Sequence, residues 1–463
     1  MRLRAAGLKI IFSLLAAIAF AASLAPRFAL AQDPKPEPSQ QQQQQPPPSK
    51  KHSKDQEKPK SPDSDDSSAP EPATKEPAKP KVRTITAFLT LDRATYQQQI
   101  ADTFDFLTKA KAVFEKAGFE VQTLRIATQP FPEYTRDLPP EDAFAFLREL
   151  DHLAGTDGFM ISVGPAMQHV GDDAHEAGLL ANALAPAENM NGSVIIGAED
   201  GIHWDAVGAA AGVIAFLAEH SPRSQANFNF AAVSMVPPGT PFFPAGYNSG
   251  NDHQFAIGLQ SANVIAEALT GAKNPEAAEN AIREKLGAFA VQIEGICKDV
   301  AQQTGWKYEG IDLSPAPLKR VSIGAAIEAY TGSWLGSSGT LSAAALITRA
   351  IQSIPVTRAG YSGLMLPVLE DSTIARRWSE GSISIDGLLA YSSVCGTGLD
   401  TIPLPGRVSP EQLIKILGDV ASLSVKWKKP LSARLLPIAG KDAGDRTDFD
   451  NPRLVNVLLR PLP

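Results

Sequence analysis

The sequence predicts a single large α/β domain, carried behind an export signal and a disordered tether. Three observations predict it. From Val82 onward, runs rich in β-branched and aromatic residues alternate with stretches of helical periodicity. The segment before Val82 is rich in Gln, Pro, Lys and Ser and has almost no large apolar side chain. The N-terminus itself shows the charged, apolar and small-residue order of a signal peptide.

Residues 1–31 are read as that signal. Arg2, Arg4 and Lys9 form the positive region, and Ile10 to Ala25 is apolar. The run is short for a spanning helix, which needs about 20 residues. Ala29-Leu30-Ala31 supplies the small-x-small pattern, so cleavage is expected after Ala31 and the mature chain is expected to be secreted or periplasmic. An uncleaved signal anchor is the alternative, and it is the sole membrane contact expected. Residues 32–82 read as a linker: Gln40 to Gln45 and Pro46-Pro47-Pro48 lead into mixed charges. Such a segment buries too little surface to offset its chain entropy.

The domain then spans 83–463. Thr84 to Thr90 reads as a strand and Tyr96 to Ala117 as a helix with Ile100, Phe104, Leu107 and Phe114 on one face. Gly118 ends that helix, and Glu120 to Ile126 returns as a second strand, a parallel opening. Gly158 to Gly164 and Ser193 to Gly197 read as further buried strands. Ala206 to Glu219, Phe255 to Thr270 and Leu341 to Ile354 read as helices. Val236 to Ala245 (VPPGTPFFPA) is neither, because its prolines fix φ and remove donors. A rigid aromatic loop of this kind walls a pocket or an interface, or simply packs on the surface.

Composition excludes several classes. The 463-residue chain carries a net charge of -7, which argues against a nucleic-acid partner. Two cysteines, Cys297 and Cys395, exclude a disulfide-stapled scaffold and leave one bridge open. No Gly-x-Ser-x-Gly elbow, His-Glu-x-x-His helix or dinucleotide fingerprint occurs. No metal and no organic cofactor is expected. His169, Asp172, Asp173, His175 and Glu176 are ligand types, but their spacing fits a solvated loop or helix start better.

Four stretches carry a family resemblance: Val121 to Phe131, Val236 to Ala245, Gly360 to Asp371 and Ser392 to Gly406. Together they resemble the domain-of-unknown-function family 711, also called uncharacterised protein family 0210, with further matches at Asp312 to Pro317 and Gly339-Thr340-Leu341. The resemblance implies a ten-stranded α/β barrel of the pyruvate formate-lyase-like type, and a homodimer. It does not imply radical chemistry, since two cysteines are too few and no glycyl-radical motif is present. The chain departs from the family pattern at Arg407, where an acid is usual, and at Asn248, where histidine is frequent. The signal is a departure as well.

Candidate site residues follow. Cys395, Gly396, Gly398 and Asp400 form a glycine-lined turn in which a thiolate could attack a carbonyl, unless Cys395 is simply a small buried residue. Gly339 and Thr340 open a helix after a glycine-rich run, an anion site or a plain cap. Arg125, with Gln129 beyond it, can grip a carboxylate. Asp312 and Glu370 are candidate acid–base groups or helix caps. The function expected is a non-radical small-molecule enzyme acting on a carboxylate- or carbonyl-bearing metabolite. The alternatives are an amino-acid-like ligand-binding or sensory protein without turnover, and a structural dimeric envelope protein.

Overall fold

The computed structural model describes residues 78–242, 244–250 and 253–462. The expected signal at 1–31 and nearly all of the expected linker lie outside them. Ten strands form one mixed sheet: β1 (Lys81–Leu89), β2 (Leu124–Thr128), β3 (Met160–Pro165), β4 (Met190–Ala198), β5 (Gly201–Ile202), β6 (Phe230–Ser234), β7 (Gln254–Gln260), β8 (Lys307–Asp312), β9 (Gly398–Pro405) and β10 (Leu431–Ile438). Their order is β8-β7-β1-β2-β3-β4-β6-β10-β9, with β5 beside β4. The five strands β1, β2, β3, β4 and β6 run parallel. The joins β7–β1 and β6–β10 are antiparallel, and the flanking pairs β7–β8 and β10–β9 are parallel again. The expected ten-stranded α/β architecture is present.

One expected element differs. Phe255 to Thr270 is not a single helix but β7 followed by the helix Ala262–Leu269. Phe255, Ile257 and Leu259 alternate with Ala256, Gly258 and Gln260, a period of two that the adjoining helix hides. The second strand also starts later than expected, at Leu124, with Val121 making an isolated bridge to Val82.

Each strand has an outer and an inner face, and β1 shows the rule. Val82, Ile85, Ala87 and Leu89 join the helices in one large apolar cluster, with Ile100, Leu107 and Phe114 of the helix Tyr96–Lys116. Thr84, Thr86 and Phe88 face the other way, and the two threonine hydroxyls share a 3.1 Å hydrogen bond. Apolar residues inside form only small clusters, such as Phe88 with Ala127, Ala256 and Ala359.

Among the described residues no ladder joins β8 to β9. The extended segment 357–371 fills the gap. Ile311 N–H donates to Thr357 O at 2.9 Å and Ala359 N–H to Ile311 O at 3.0 Å, on the β8 side. Gly396 N–H donates to Leu364 O at 2.7 Å and Val368 N–H to Asp400 O at 3.0 Å, on the β9 side. The ring of hydrogen bonds therefore passes through an irregular seam.

The proline loop after β6 reaches into this ring. Asn248 N–H donates to Thr128 O at 2.9 Å, at the end of β2, and Ser162 Oγ donates to Gly246 O at 2.6 Å. Pro241 O, further in, accepts from Thr86 Oγ1 at 3.4 Å and Arg125 Nη1 at 3.3 Å. Among the described residues no helix is long and apolar enough to cross a membrane.

Candidate functional site

A chamber opens on the inner face, near the start of β1 and β2 and the ends of β7 and β8. Its walls include Arg83, Arg125, Asp312, Glu370, Arg434 and Arg453, and Pro241 and Phe242 of the inserted loop. Its empty space is about 580 Å³ including the mouth, but the centre of a water molecule has only about 50 Å³ to occupy. That is room for a few waters, or a ligand of several heavy atoms.

The charges come from strands that are otherwise apolar. β1, β2 and β10 each place one arginine inward: Arg83, Arg125 and Arg434. Arg434 is the hub. Its Nε donates to Asp400 Oδ1 and its Nη2 to Glu370 Oε1, each at 2.6 Å. Arg83 Nη2 donates to the other oxygen of Glu370 at 3.2 Å. The Arg434 guanidinium also lies 5.0 Å from the Phe228 ring centre and 5.8 Å from that of Phe242.

Burial pushes Glu370 up, but the adjacent Arg434 and Arg83 charges outweigh it and hold its carboxyl below the usual range. Asp400 goes the other way, raised by burial and by the Glu370 charge against the pull of Arg434. Arg125 is pushed well down, first by burial and then by the like charges of Arg83, Arg453 and Arg434. Four guanidinium groups thus crowd one small chamber.

Asp312 occupies a separate stretch of wall. Its Oδ1 accepts from Ser314 N–H at 2.9 Å and Ser362 N–H at 3.0 Å, and its Oδ2 from Tyr361 N–H at 3.0 Å. Burial still raises its carboxyl. Gly360, at φ +61°, lets the chain turn over this carboxylate, since a Cβ there would lie 2.3 Å from Asp312 Oδ2.

The sequence-expected residues divide accordingly. Arg125, Asp312 and Glu370 line the chamber, and Asp400 stands one bond behind it through Arg434. Cys395 does not line it. It is buried in the outer apolar cluster, unbridged like Cys297, and burial pushes its thiol up against the opposing pull of Lys429 and the Thr397 and Gly398 backbone N–H groups, which favours the small-buried-residue alternative. Gly396 and Gly398 serve close backbone packing instead: a Cβ would lie 2.7 Å from Gly363 Cα's neighbouring carbonyl carbon in the first case and 2.3 Å from Ser432 O in the second.

Gln129 spends its amide on the backbone of Leu91, accepting at 2.8 Å and donating at 3.0 Å. Gly339, in the left-handed region, is the N-cap of the helix Thr340–Gln352, and Thr340 Oγ1 accepts from Gly336 N–H at 3.1 Å. Both are local structure. Arg407 is exposed and pairs with Asp442, while Asn248 Nδ2 donates to Thr90 Oγ1 at 3.1 Å, near the ends of β1 and β2. Asp172 and Asp173 accept from backbone N–H groups of their own turn. No group of three or more His, Cys, Asp or Glu fit to hold a metal occurs among the described residues.

Arg83, Arg434 and Arg453 were not singled out from the sequence. The signal for two of them was there: a lone arginine inside an apolar strand, as in KVRTITAFL and LSARLLPI.

Fold and site together define an α/β protein whose sheet surrounds a small, arginine-rich internal chamber. The family model described as "Uncharacterised ACR (DUF711)" matches residues 76–450, and the chain belongs to that family. A UPF0210 protein of Pyrobaculum arsenaticum is 32% identical over 357 residues, covering 73% of this chain and 78% of that protein. A UPF0210 protein of Pelotomaculum thermopropionicum is 28% identical over 396 residues, 80% and 88% of the two chains. One from Methanosarcina acetivorans is 27% identical over 349 residues, 72% and 75%.

Proposed function

We propose that the chamber binds a small carboxylate-bearing metabolite. The observation that carries this reading is the crowding of Arg83, Arg125, Arg434 and Arg453 around one cavity whose acids are already bonded. Like charges held this close favour an anion between them, and guanidinium groups grip carboxylates in a fixed fork. The test is a thermal-shift screen of small mono- and dicarboxylates on the full chain. A ligand at a hundred times its Kd stabilises by about 2.7 kcal/mol. Arg125→Gln abolishes the shift on this reading and Cys395→Ala keeps it; a shift insensitive to Arg125 defeats it.

A second reading adds turnover. Glu370 and Asp312 line one chamber with carboxyls pushed in opposite directions, the pattern of a base and an acid. On this reading a bound carbonyl acid is consumed, followed by NMR, and Asp312→Asn stops consumption while binding persists. Binding with no consumption returns the reading to a ligand-binding protein.

The chain is further proposed to act outside the cytoplasm, on the order of charges, apolar run and Ala29-Leu30-Ala31 at its N-terminus. N-terminal sequencing of the fractionated protein is expected to begin at Gln32. A cytosolic chain beginning at Met1 removes this part.

A further inference from the structure

We infer that the bound acid carries a short apolar body, seated against Phe242 and Phe228, and has neither an ammonium nor a hydroxyl group. This rests on the carboxylate-binding reading above and deepens it by naming the ligand class.

What the wall offers besides arginine is the first argument. Most of its other residues are apolar, among them Phe228, Phe242, Leu259, Met365, Pro317 and Pro367. Its side-chain hydroxyls, on Thr84 and Ser314, are both occupied. Thr84 Oγ1 shares its 3.1 Å bond with Thr86, and Ser314 Oγ accepts from Gly363 N–H at 3.2 Å and also bonds the Asp312 carboxyl. The acids are occupied too. Glu370 gives one oxygen to Arg83 and the other to Arg434, and both oxygens of Asp312 accept backbone N–H groups. Asp400 stands behind Arg434 and does not line the wall. A ligand ammonium would therefore meet guanidinium groups of its own sign, with no side-chain acceptor set aside for it. A ligand hydroxyl would likewise bring an O–H in need of an acceptor, a cost that a hydrocarbon group avoids. A carbonyl oxygen only accepts, so a 2-oxo acid stays within the class.

Position is the second argument. The proline loop sets an aromatic ring beside the arginines. Arg125 Nη1 donates to Pro241 O at 3.3 Å, and Phe242 is the next residue of the loop. The Phe242 ring is held edge-on to Tyr361 at 4.9 Å and lies 5.8 Å from the Arg434 guanidinium, with the Phe228 ring 5.0 Å from the same group. Cationic and aromatic surfaces thus lie within a few ångströms of each other. One small molecule can set its carboxylate on the first and its body on the second. The body must be short, because the centre of a water molecule has only about 50 Å³ to occupy.

The test is isothermal titration calorimetry on the full chain with 3-methylbutanoate, valine and glycerate. Valine adds an ammonium to the first acid, and glycerate replaces its methyl groups with hydroxyls. The natural chain is expected to bind 3-methylbutanoate at least about tenfold more tightly than either, the order expected when a polar group enters an apolar pocket. Phe242→Ala should lose most of that preference and Phe242→Leu should keep most of it, with thermal melts to check that both fold. Cys395→Ala, outside the chamber, should keep all of it. Equal binding of the three acids by the natural chain, or tighter binding of valine or glycerate, overturns the apolar-body inference and leaves the carboxylate reading standing. Binding of none of the three overturns both. A preference that survives undiminished in Phe242→Ala overturns the inference as well, since the body then lies elsewhere.

Discussion

The two faces of the sheet are held together by opposite physics. Outside, Leu217, Leu107 and Ile293 pack in a continuous apolar layer between strands and helices. Inside, apolar residues form only small clusters, and a chain of bonds from Arg83 through Glu370 and Arg434 to Asp400 ties β1, the seam and strands β10 and β9 together. The outer layer stabilises through area removed from water and is indifferent to the identity of any one contact. The inner chain gains little net stability over an apolar filling, since two arginines and two acids had to be desolvated. Its place in the interior is one ground for the ligand-binding reading proposed above. That difference can be attacked directly.

The largest expected effect is inside. Arg434→Ala leaves Glu370 and Asp400 buried without their shared partner, a loss of about 3–5 kcal/mol in denaturant unfolding, with ligand binding lost as well. Leu217→Ala on the outer face should cost about 2–5 kcal/mol through the cavity it leaves, yet leave ligand affinity unchanged in calorimetry. If both variants lose binding equally, the division between the faces fails.

A smaller effect is read from pH. Glu370 has its carboxyl held below its ordinary value of 4.5 in the folded chain. Its contribution is present above that value and is lost as pH falls through the lower folded one. The stability gap between the natural chain and Glu370→Gln should thus be full near about pH 6 and narrow on acidification toward about pH 3. Asp400, raised, works in the reverse sense: its contribution is full below 3.8 and fades as pH rises through its folded value. A gap that widens in acid would mean Asp400 dominates the pair.

The smallest expected effect is none. Cys395 is buried with its thiol pushed up, so a thiol reagent at about pH 8 should leave the native chain unmodified and label both cysteines after unfolding. Rapid native labelling at Cys395, read by mass spectrometry, would reopen the thiol as a site.

Much of the fold was legible because the outer face obeys simple periodicity. The helix Tyr96–Lys116 announces itself through Ile100, Leu107 and Phe114, and the α/β alternation follows. β7 was not legible, because its two-residue alternation runs straight into a helix. Of the site, Arg125, Asp312 and Glu370 were found as single residues, but their convergence depends on strands far apart in sequence. The glycines beside Cys395 misled for a physical reason. A glycine that admits a ligand and a glycine that admits another backbone look alike in sequence, and Gly396 and Gly398 admit Gly363 and Ser432. Nor could local pattern show that Gln129 is occupied by Leu91, across a helix and a strand.

The seam at 357–371 has a consequence for how the chamber wall is held. It supplies Met365, Pro367 and Glu370 to the chamber and is tied to its neighbours not by a ladder but by many separate bonds, such as Leu364 N–H to Thr348 Oγ1 and Leu369 N–H to Thr401 Oγ1, each at 3.1 Å. A paired strand cannot gain or lose a residue without turning its side chains to the wrong face. This segment is held residue by residue instead, so an insertion within it is expected to displace Glu370 and the chamber wall while the paired strands stay as they are.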